Sequence, residues 1–262
     1  MPRNKKITCI SFSPDGRYLA SGKKDLVSVY DVETEEKIRE FMSKGFNDIV
    51  IISPSGELLA TGTWNNKIIW HVRSGKQIMN VKHEYSVHPA MSYMPDGRFI
   101  VIITADSIDI WDIKTTRKIH DFFHAEYIFS VAVSPDGKYI ATGRDYGSVV
   151  IQDTRSKNVF KRHDGLIGMV VFSHDGILAI CDYKGNMEIL DWREKRLIKG
   201  VSGRNRRYIL SWFKRALAWN DNNMLRFPFA EFKSENITAV ALSRRGFLAI
   251  GHYDGTIEVI RE

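Results

Sequence analysis

Short runs of alternating apolar and polar residues fill this chain, and the same run returns about every forty residues. Large apolar residues alternate with small or polar ones at Ile10 and Phe12, Val131 and Val133, and Val240 and Leu242. A period of two buries one face of a strand. Each run ends in a turn phrase: Ser13-Pro14-Asp15-Gly16, Ser53-Pro54-Ser55-Gly56, Met94-Pro95-Asp96-Gly97 and Ser134-Pro135-Asp136-Gly137. The phrase decays to Ser173-His174-Asp175-Gly176 and Ser243-Arg244-Arg245-Gly246, with a worn copy around Ser211-Trp212-Phe213-Lys214. Pro presets φ, Gly accepts a positive φ, and Asp bonds nearby backbone amides, so these are tight turns between strands. The spacings of 40, 41, 40, 39, 38 and 32 residues between phrase starts give seven units.

A second strand follows each turn, rich in small residues: Tyr18-Leu19-Ala20-Ser21-Gly22, Leu58-Leu59-Ala60-Thr61-Gly62, Tyr139-Ile140-Ala141-Thr142-Gly143. The third strand sets a large residue before a polar one, as in Tyr30-Asp31, Trp70-His71, Trp111-Asp112, Gln152-Asp153 and Leu190-Asp191. A fourth strand such as Lys76-Gln77-Ile78-Met79-Asn80-Val81 leads into the next unit. Asp25, Asn65, Asp106, Asp221 and Asp254 fall in equivalent turns between second and third strands.

Tandem four-stranded antiparallel units of about forty residues resemble the WD-repeat family, and the resemblance covers essentially the whole chain. It implies an all-β fold: a seven-bladed β-propeller of four-stranded antiparallel blades, a single domain over residues 1–262. In that family the ring is closed by a strand from the other terminus, and residues 2–6 are the candidate outer strand of the last blade. The family also buries a hydrogen-bonded tetrad. The third unit resembles it most fully, through His83, Thr104, Asp106 and Trp111. No Gly precedes His83, His124 or His163, and the Trp position becomes Tyr30, Gln152, Leu190, Phe227 or Ile260 elsewhere. Most blades are therefore expected to rely on apolar packing.

Composition narrows the function. Cys9 and Cys181 are the two cysteines, each in an apolar run, too few for a disulfide framework or a zinc site. The start of the chain carries no signal-peptide pattern, and no apolar run is long enough to span a bilayer. A soluble cytoplasmic protein without membrane partners is expected. No glycine-rich phosphate loop is present, no cofactor is implied, and His120 and His124 sit on strand and loop, where i, i+4 spacing does not converge two rings on a metal. The turn aspartates and serines lack a base and an orienter, so no catalytic residues are assigned and no enzyme activity is expected.

Binding remains. In the family, the loops between second and third strands and between fourth and first strands gather on one face. Here that face would carry Lys24, Trp64, Tyr146, Tyr183 and Tyr253 as a protein-binding surface. Trp64 stands between Thr63 and Asn65-Asn66; it either meets a partner or folds back over its own blade. The net charge of +7 is concentrated in one segment. Residues 193–217 hold nine Lys/Arg (Arg193, Lys195, Arg196, Lys199, Arg204, Arg206, Arg207, Lys214, Arg215) and one Glu, interleaved with Tyr208, Trp212 and Phe213. Such a sector on blades 5 and 6 suits RNA phosphates and bases, or an acidic protein surface, or is solvated outer-strand charge. Two functions result: a non-enzymatic scaffold or adaptor docking other proteins within a larger complex, and an RNA- or ribonucleoprotein-binding propeller.

Overall fold

The turn phrase sets the first strands apart by local bonding alone. In the first copy the Gly16 amide donates to the Ser13 carbonyl at 2.8 Å, with Gly16 at φ 70°, where a side chain would be strained. The Tyr18 amide donates to the Ser13 hydroxyl at 2.8 Å and the Arg17 amide to Asp15 at 3.0 Å. The fourth copy repeats this with Gly137, Ser134, Tyr139 and Asp136. Met94 replaces the serine in the third copy; the Gly97 bond to its carbonyl survives at 2.9 Å and the hydroxyl bond is gone.

The computed structural model describes residues 6–43, 45–83, 90–124, 127–144, 148–154, 161–162, 167–172, 176–182, 187–191, 193–194, 196–201, 237–242, 247–252 and 254–261. All regular structure among them is β. Sheet 1 runs β1 (Cys9–Phe12), β2 (Tyr18–Gly22), β3 (Leu26–Asp31), β4 (Lys37–Met42). Sheet 2 runs β5 (Ile49–Ile52), β6 (Leu58–Gly62), β7 (Asn66–His71), β8 (Gln77–Lys82). Sheet 3 runs β9 (Met91–Tyr93), β10 (Phe99–Ile103), β11 (Ser107–Asp112), β12 (Arg117–Phe123). Sheet 4 runs β13 (Ile128–Val133), β14 (Tyr139–Arg144), β15 (Ser148–Asp153), β16 (Lys161–Arg162), and sheet 5 β17 (Ile167–Phe172), β18 (Leu178–Asp182), β19 (Met187–Asp191), β20 (Arg196–Val201). The last sheet has three strands, β21 (Ile237–Leu242), β22 (Phe247–His252) and β23 (Ile257–Arg261). Every sheet is an antiparallel meander in chain order.

Six of the seven expected units thus stand among the described residues. The worn sixth unit falls within 202–236, outside them, as do residues 2–5 of the candidate closing strand. Ile7, just after that segment, donates its amide to the His252 carbonyl at 3.2 Å, and β1 packs beside both β5 and β21.

Strand character changes from inside to outside. The second strands β2, β6 and β10 are buried along almost their whole length, while the outer strands β4 and β12 expose most residues. The cores lie between sheets rather than within them. Cys9, Ala20, Val29 and Phe41 of sheet 1 pack with Val50, Ile52 and Leu59 of sheet 2; Ile49, Ile69 and Val81 pack with Met91, Tyr93 and Ile100 of sheet 3. Ile7, Phe12 and Leu19 pack with Ala241 and Ala249 of the last sheet. Such burial is worth roughly 1.5–3 kcal/mol for each large apolar side chain. The small residues of the second strands permit this approach: a Cβ on Gly22 would run into the Cys9 sulfur.

The polar residue closing a third strand locks the opposite end. Asp112 accepts the Lys114 and Thr115 amides at 2.9 and 3.1 Å and pairs with Arg98 at 2.8 Å. Asp31 does the same with Glu33, Thr34 and Arg17. The guanidinium of Arg98 bonds Asp112 and holds its carboxyl below the ordinary value.

Candidate functional site

Antiparallel alternation brings the loops after every second and fourth strand to one end of the sheets. Asp25, Asn65, Asp106 and Asp254 occupy equivalent turns there. Backbone bonds tie the two loop sets together. Ser43 and Asn47 donate to the Asp25 and Lys24 carbonyls at 3.0 Å, His83 donates to Asn65 at 3.0 Å, and His124 donates to Asp106 at 2.9 Å. The buried Asn47 adds side-chain amide bonds to the carbonyls of Lys23 at 2.9 Å and Lys24 at 3.2 Å. The face is therefore built on braced loops.

Of the residues assigned to this face by sequence, Lys24 and Trp64 are described, and Tyr146, Tyr183 and Tyr253 lie outside the described residues. Trp64 is 61% exposed. The structure adds neighbours that periodicity hid. Phe46, 49% exposed, sits in the loop before β5 with the Lys24 ammonium 6.0 Å from its ring centre. Met42 and Phe123 end β4 and β12 at this same end, and Tyr127 follows in the loop before β13; all three are exposed. Their signal was local: each is a large apolar residue at a loop or strand end, where no neighbouring sheet can cover it.

Beneath the face lie polar groups at the junction of sheets 2 and 3. Lys67 is fully buried, its ammonium 3.4 Å from the Trp64 carbonyl; burial lowers its pKa to about 8, partly opposed by Asp48. Burial, then Lys67, pushes the His83 imidazole below its ordinary range, and its Nε2 has no hydrogen-bond partner among the described residues. His83 lines an open depression of about 590 Å³ with Asn65, Asn66 and Lys82.

The four residues His83, Thr104, Asp106 and Trp111 do not form one chain. Thr104 donates to Asp106 at 3.1 Å and lies 2.8 Å from the Ser107 hydroxyl, a bonded turn. The buried Trp111 Nε1 has no acceptor among the described residues. Register explains the correction. In sheet 2 Trp70 pairs with Leu59 and donates to Thr61, two residues on, at 3.0 Å. In sheet 3 Trp111 pairs with Ile100, so the equivalent of Thr61 is Ile102, which has no oxygen to offer. Thr104 lies beyond the strand. The indole–hydroxyl pair that forms is Trp70 with Thr61, legible in the sequence only once strands are aligned residue by residue.

The basic segment is described in part. Arg193 and Arg196 are exposed; Arg193 pairs with Asp136 at 3.2 Å and Arg196 with Glu194 at 3.5 Å. Lys199 lies on β20, and Lys195, Arg204, Arg206, Arg207, Lys214 and Arg215 lie outside the described residues. The ring of His120 meets Phe122 edge-on at 4.4 Å. No helix among the described residues is long and apolar enough to cross a membrane.

Comparison with known proteins matches this repeat architecture. Residues 50–132 match the family described as the anaphase-promoting complex subunit 4 WD40 domain, and residues 2–31 and 116–153 match the WD domain, G-beta repeat. The chain is 27% identical over 155 residues to the Intraflagellar transport protein 122 homolog of Mus musculus, covering 56% of this chain and 13% of that protein. It is 25% identical over 157 residues to the Small ribosomal subunit protein RACK1y of Oryza sativa subsp. japonica, covering 55% and 46%. It is 24% identical over 144 residues to the Target of rapamycin complex subunit wat1 of Schizosaccharomyces pombe, covering 52% and 46%. The matched stretches span less than half the length of each relative.

Proposed function

The chain belongs to the WD-repeat family, and from that premise we propose that it is a seven-bladed, non-enzymatic scaffold in the cytoplasm that docks proteins within a larger complex. The observation that carries this reading is the set of exposed large apolar side chains on one loop face: Met42, Phe46, Trp64, Phe123 and Tyr127. Aromatic anchors held on braced loops bring contact area at low rotamer cost, as binding hot spots do. Two relatives are named as a ribosomal subunit protein and a complex subunit, in keeping with work inside assemblies. The test is capture from native extract by the wild type and by the pair Phe46→Ala and Trp64→Ala. Each substitution shifts stability by no more than about 0.5 kcal/mol, as surface changes do. The double variant loses the specific partners; unchanged capture refutes the assignment of this face.

A second reading, RNA binding, rests on the exposure of Arg193 and Arg196 at the start of the basic segment. It requires binding to single-stranded RNA whose log Kd rises with log[salt] at about 0.7 per phosphate contact. Absence of binding at low salt removes it.

A further inference from the structure

In sheets 1 and 2 the outer strand carries a bulged isoleucine that the next sheet covers. Ile38 is skipped between the Val29–Arg39 and Tyr30–Lys37 pairs, and Ile78 between the Ile69–Met79 and Trp70–Gln77 pairs. Ile38 shares an apolar cluster with Trp70 and Val72, at the end of β7. Ile78 shares one with Trp111 and Ile113, at the end of β11. Sheet 3 repeats the isoleucine: Ile119 is skipped between the Ile110–His120 and Trp111–Lys118 pairs. Sheet 4 withholds the cover. Gln152 pairs with Ile140 where Trp70 pairs with Leu59, and the Thr154 amide donates to Lys138 where that of Val72 donates to Glu57. An amide and a hydroxyl thus replace an indole and an aliphatic side chain. Ile119 is 53% exposed, on an open groove of about 680 Å³ whose walls include Asp96, Phe99, Ile110, Pro135 and Thr154.

Sheet 4 keeps the rest of an indole site. Thr61, which accepts from Trp70, stands two residues beyond Leu59; the buried Thr142 stands two residues beyond Ile140. The hydroxyl partner is retained and the indole is not. Gln152 itself is 6% exposed, and its Nε2 has no hydrogen-bond partner among the described residues. A buried donor without an acceptor weakens a fold, so packing alone gives no reason for glutamine here.

We propose that the groove between sheets 3 and 4 takes up an aromatic side chain of a partner protein, with a basic residue next to it in the partner's sequence. Phe99, Ile110 and Ile119 offer the ring an apolar bed, as the preceding sheets do for Trp70 and Trp111. Charge selects the neighbour. Asp96 and Asp136 line the groove, and no Lys or Arg among the described residues does. Asp136 already pairs with Arg193 at 3.2 Å, whereas Asp96 is exposed and makes no ion pair among the described residues. A large ring seated in a pocket beside one rim charge is the usual form of a protein-binding anchor. The turn phrases frame the groove, so it lies at the end of the sheets opposite the loop face and is a second surface, separate from Trp64.

Isoleucine methyl NMR of the whole chain tests this, titrated with the capped dipeptide acetyl-Trp-Lys-amide. Saturable shifts are expected at Ile110 and Ile119 and not at Ile38 or Ile78, whose grooves the chain fills itself. Acetyl-Ala-Lys-amide leaves all four unmoved. Gln152→Trp, which restores the sheet 2 pattern opposite Thr142, raises the melting temperature and abolishes the shifts. Asp96→Asn weakens binding by about two- to five-fold, as loss of an exposed ion pair does. Trp64→Ala retains the shifts because it acts on the loop face alone, so failure of one surface is distinguishable from failure of the other. Four results overturn the proposal: no saturable shift at Ile119; shifts that survive Gln152→Trp in a variant shown by circular dichroism to be folded; undiminished binding in Asp96→Asn; and Ile119 shifts that appear with protein concentration alone, meaning a second copy fills the groove.

Discussion

Replacing Trp70 and Trp111 by Phe, one at a time, separates a hydrogen bond from the apolar surface around it. The two indoles hold equivalent register positions and both are partly buried between sheets. Each substitution removes the same atoms and a similar apolar area, so the packing loss is common to both. The polar terms differ. Trp70→Phe breaks the 3.0 Å bond to the buried Thr61, whose hydroxyl keeps a 3.5 Å contact with the Ile68 carbonyl. Losing that bond costs roughly 0.5–1.5 kcal/mol. Trp111→Phe removes a buried N–H that has no acceptor among the described residues, and so relieves a desolvation penalty of about 1–3 kcal/mol. Trp70→Phe is therefore expected to be the more destabilising by about 2 kcal/mol. Urea unfolding at neutral pH reads this as the difference in midpoint at equal slope. Ile102→Thr, which sets a hydroxyl where sheet 2 has Thr61, should couple favourably to Trp111 by about 1 kcal/mol in a double-mutant cycle. Equal losses in the two Phe variants, or no coupling between Ile102→Thr and Trp111, refute the register argument.

Other outcomes follow from single contacts. The hydrogen bond from Arg98 keeps the Asp112 carboxyl below its ordinary value, so the stability it adds is present at neutral pH and lost as pH falls through the lowered pKa. Arg98→Ala should thus lower stability at neutral pH, with the two curves converging in acid below the lowered pKa in acid-unfolding titrations. Lys67, at about 8, gives up its proton in the folded state while the unfolded chain keeps it up to 10.5. Stability should therefore climb with pH from 8 to 10.5, and Lys67→Met should flatten that climb in denaturant titrations across the window. Thr116 sits at φ 55° where Gly75 holds the same turn position at φ 71°, and Thr116→Gly should stabilise by about 0.5–1 kcal/mol, read as a raised melting temperature. A lowered one would place the strain elsewhere.

What was legible in the sequence is what neighbours along the chain decide. Ser13-Pro14-Asp15-Gly16 bonds within itself, so the turn phrase reports a turn wherever it stands. Period two marked Ile10 and Phe12 as buried, but not that Ser11 on the other face of the strand is buried as well. All-β character, the strand order and the equivalent turns at Asp25, Asn65, Asp106 and Asp254 came from such local terms. The site was legible in part: Trp64 was marked by its turn, whereas Phe46, Met42, Phe123 and Tyr127 emerged only once the strand ends were placed.

Tertiary structure decided what depends on cross-strand register and on the next sheet. A Thr just beyond the strand resembles a tetrad member by spacing, yet only pairing of Ile100 with Trp111 shows that Ile102 holds the position of Thr61. Val259 and Val29 are the same residue at equivalent register positions, yet they stand at 42% and 0% exposure, a difference no local pattern carries. A pattern of apolar residues fixes which face a strand must bury; what buries it is supplied from forty residues away, or by another chain, and carries no local mark.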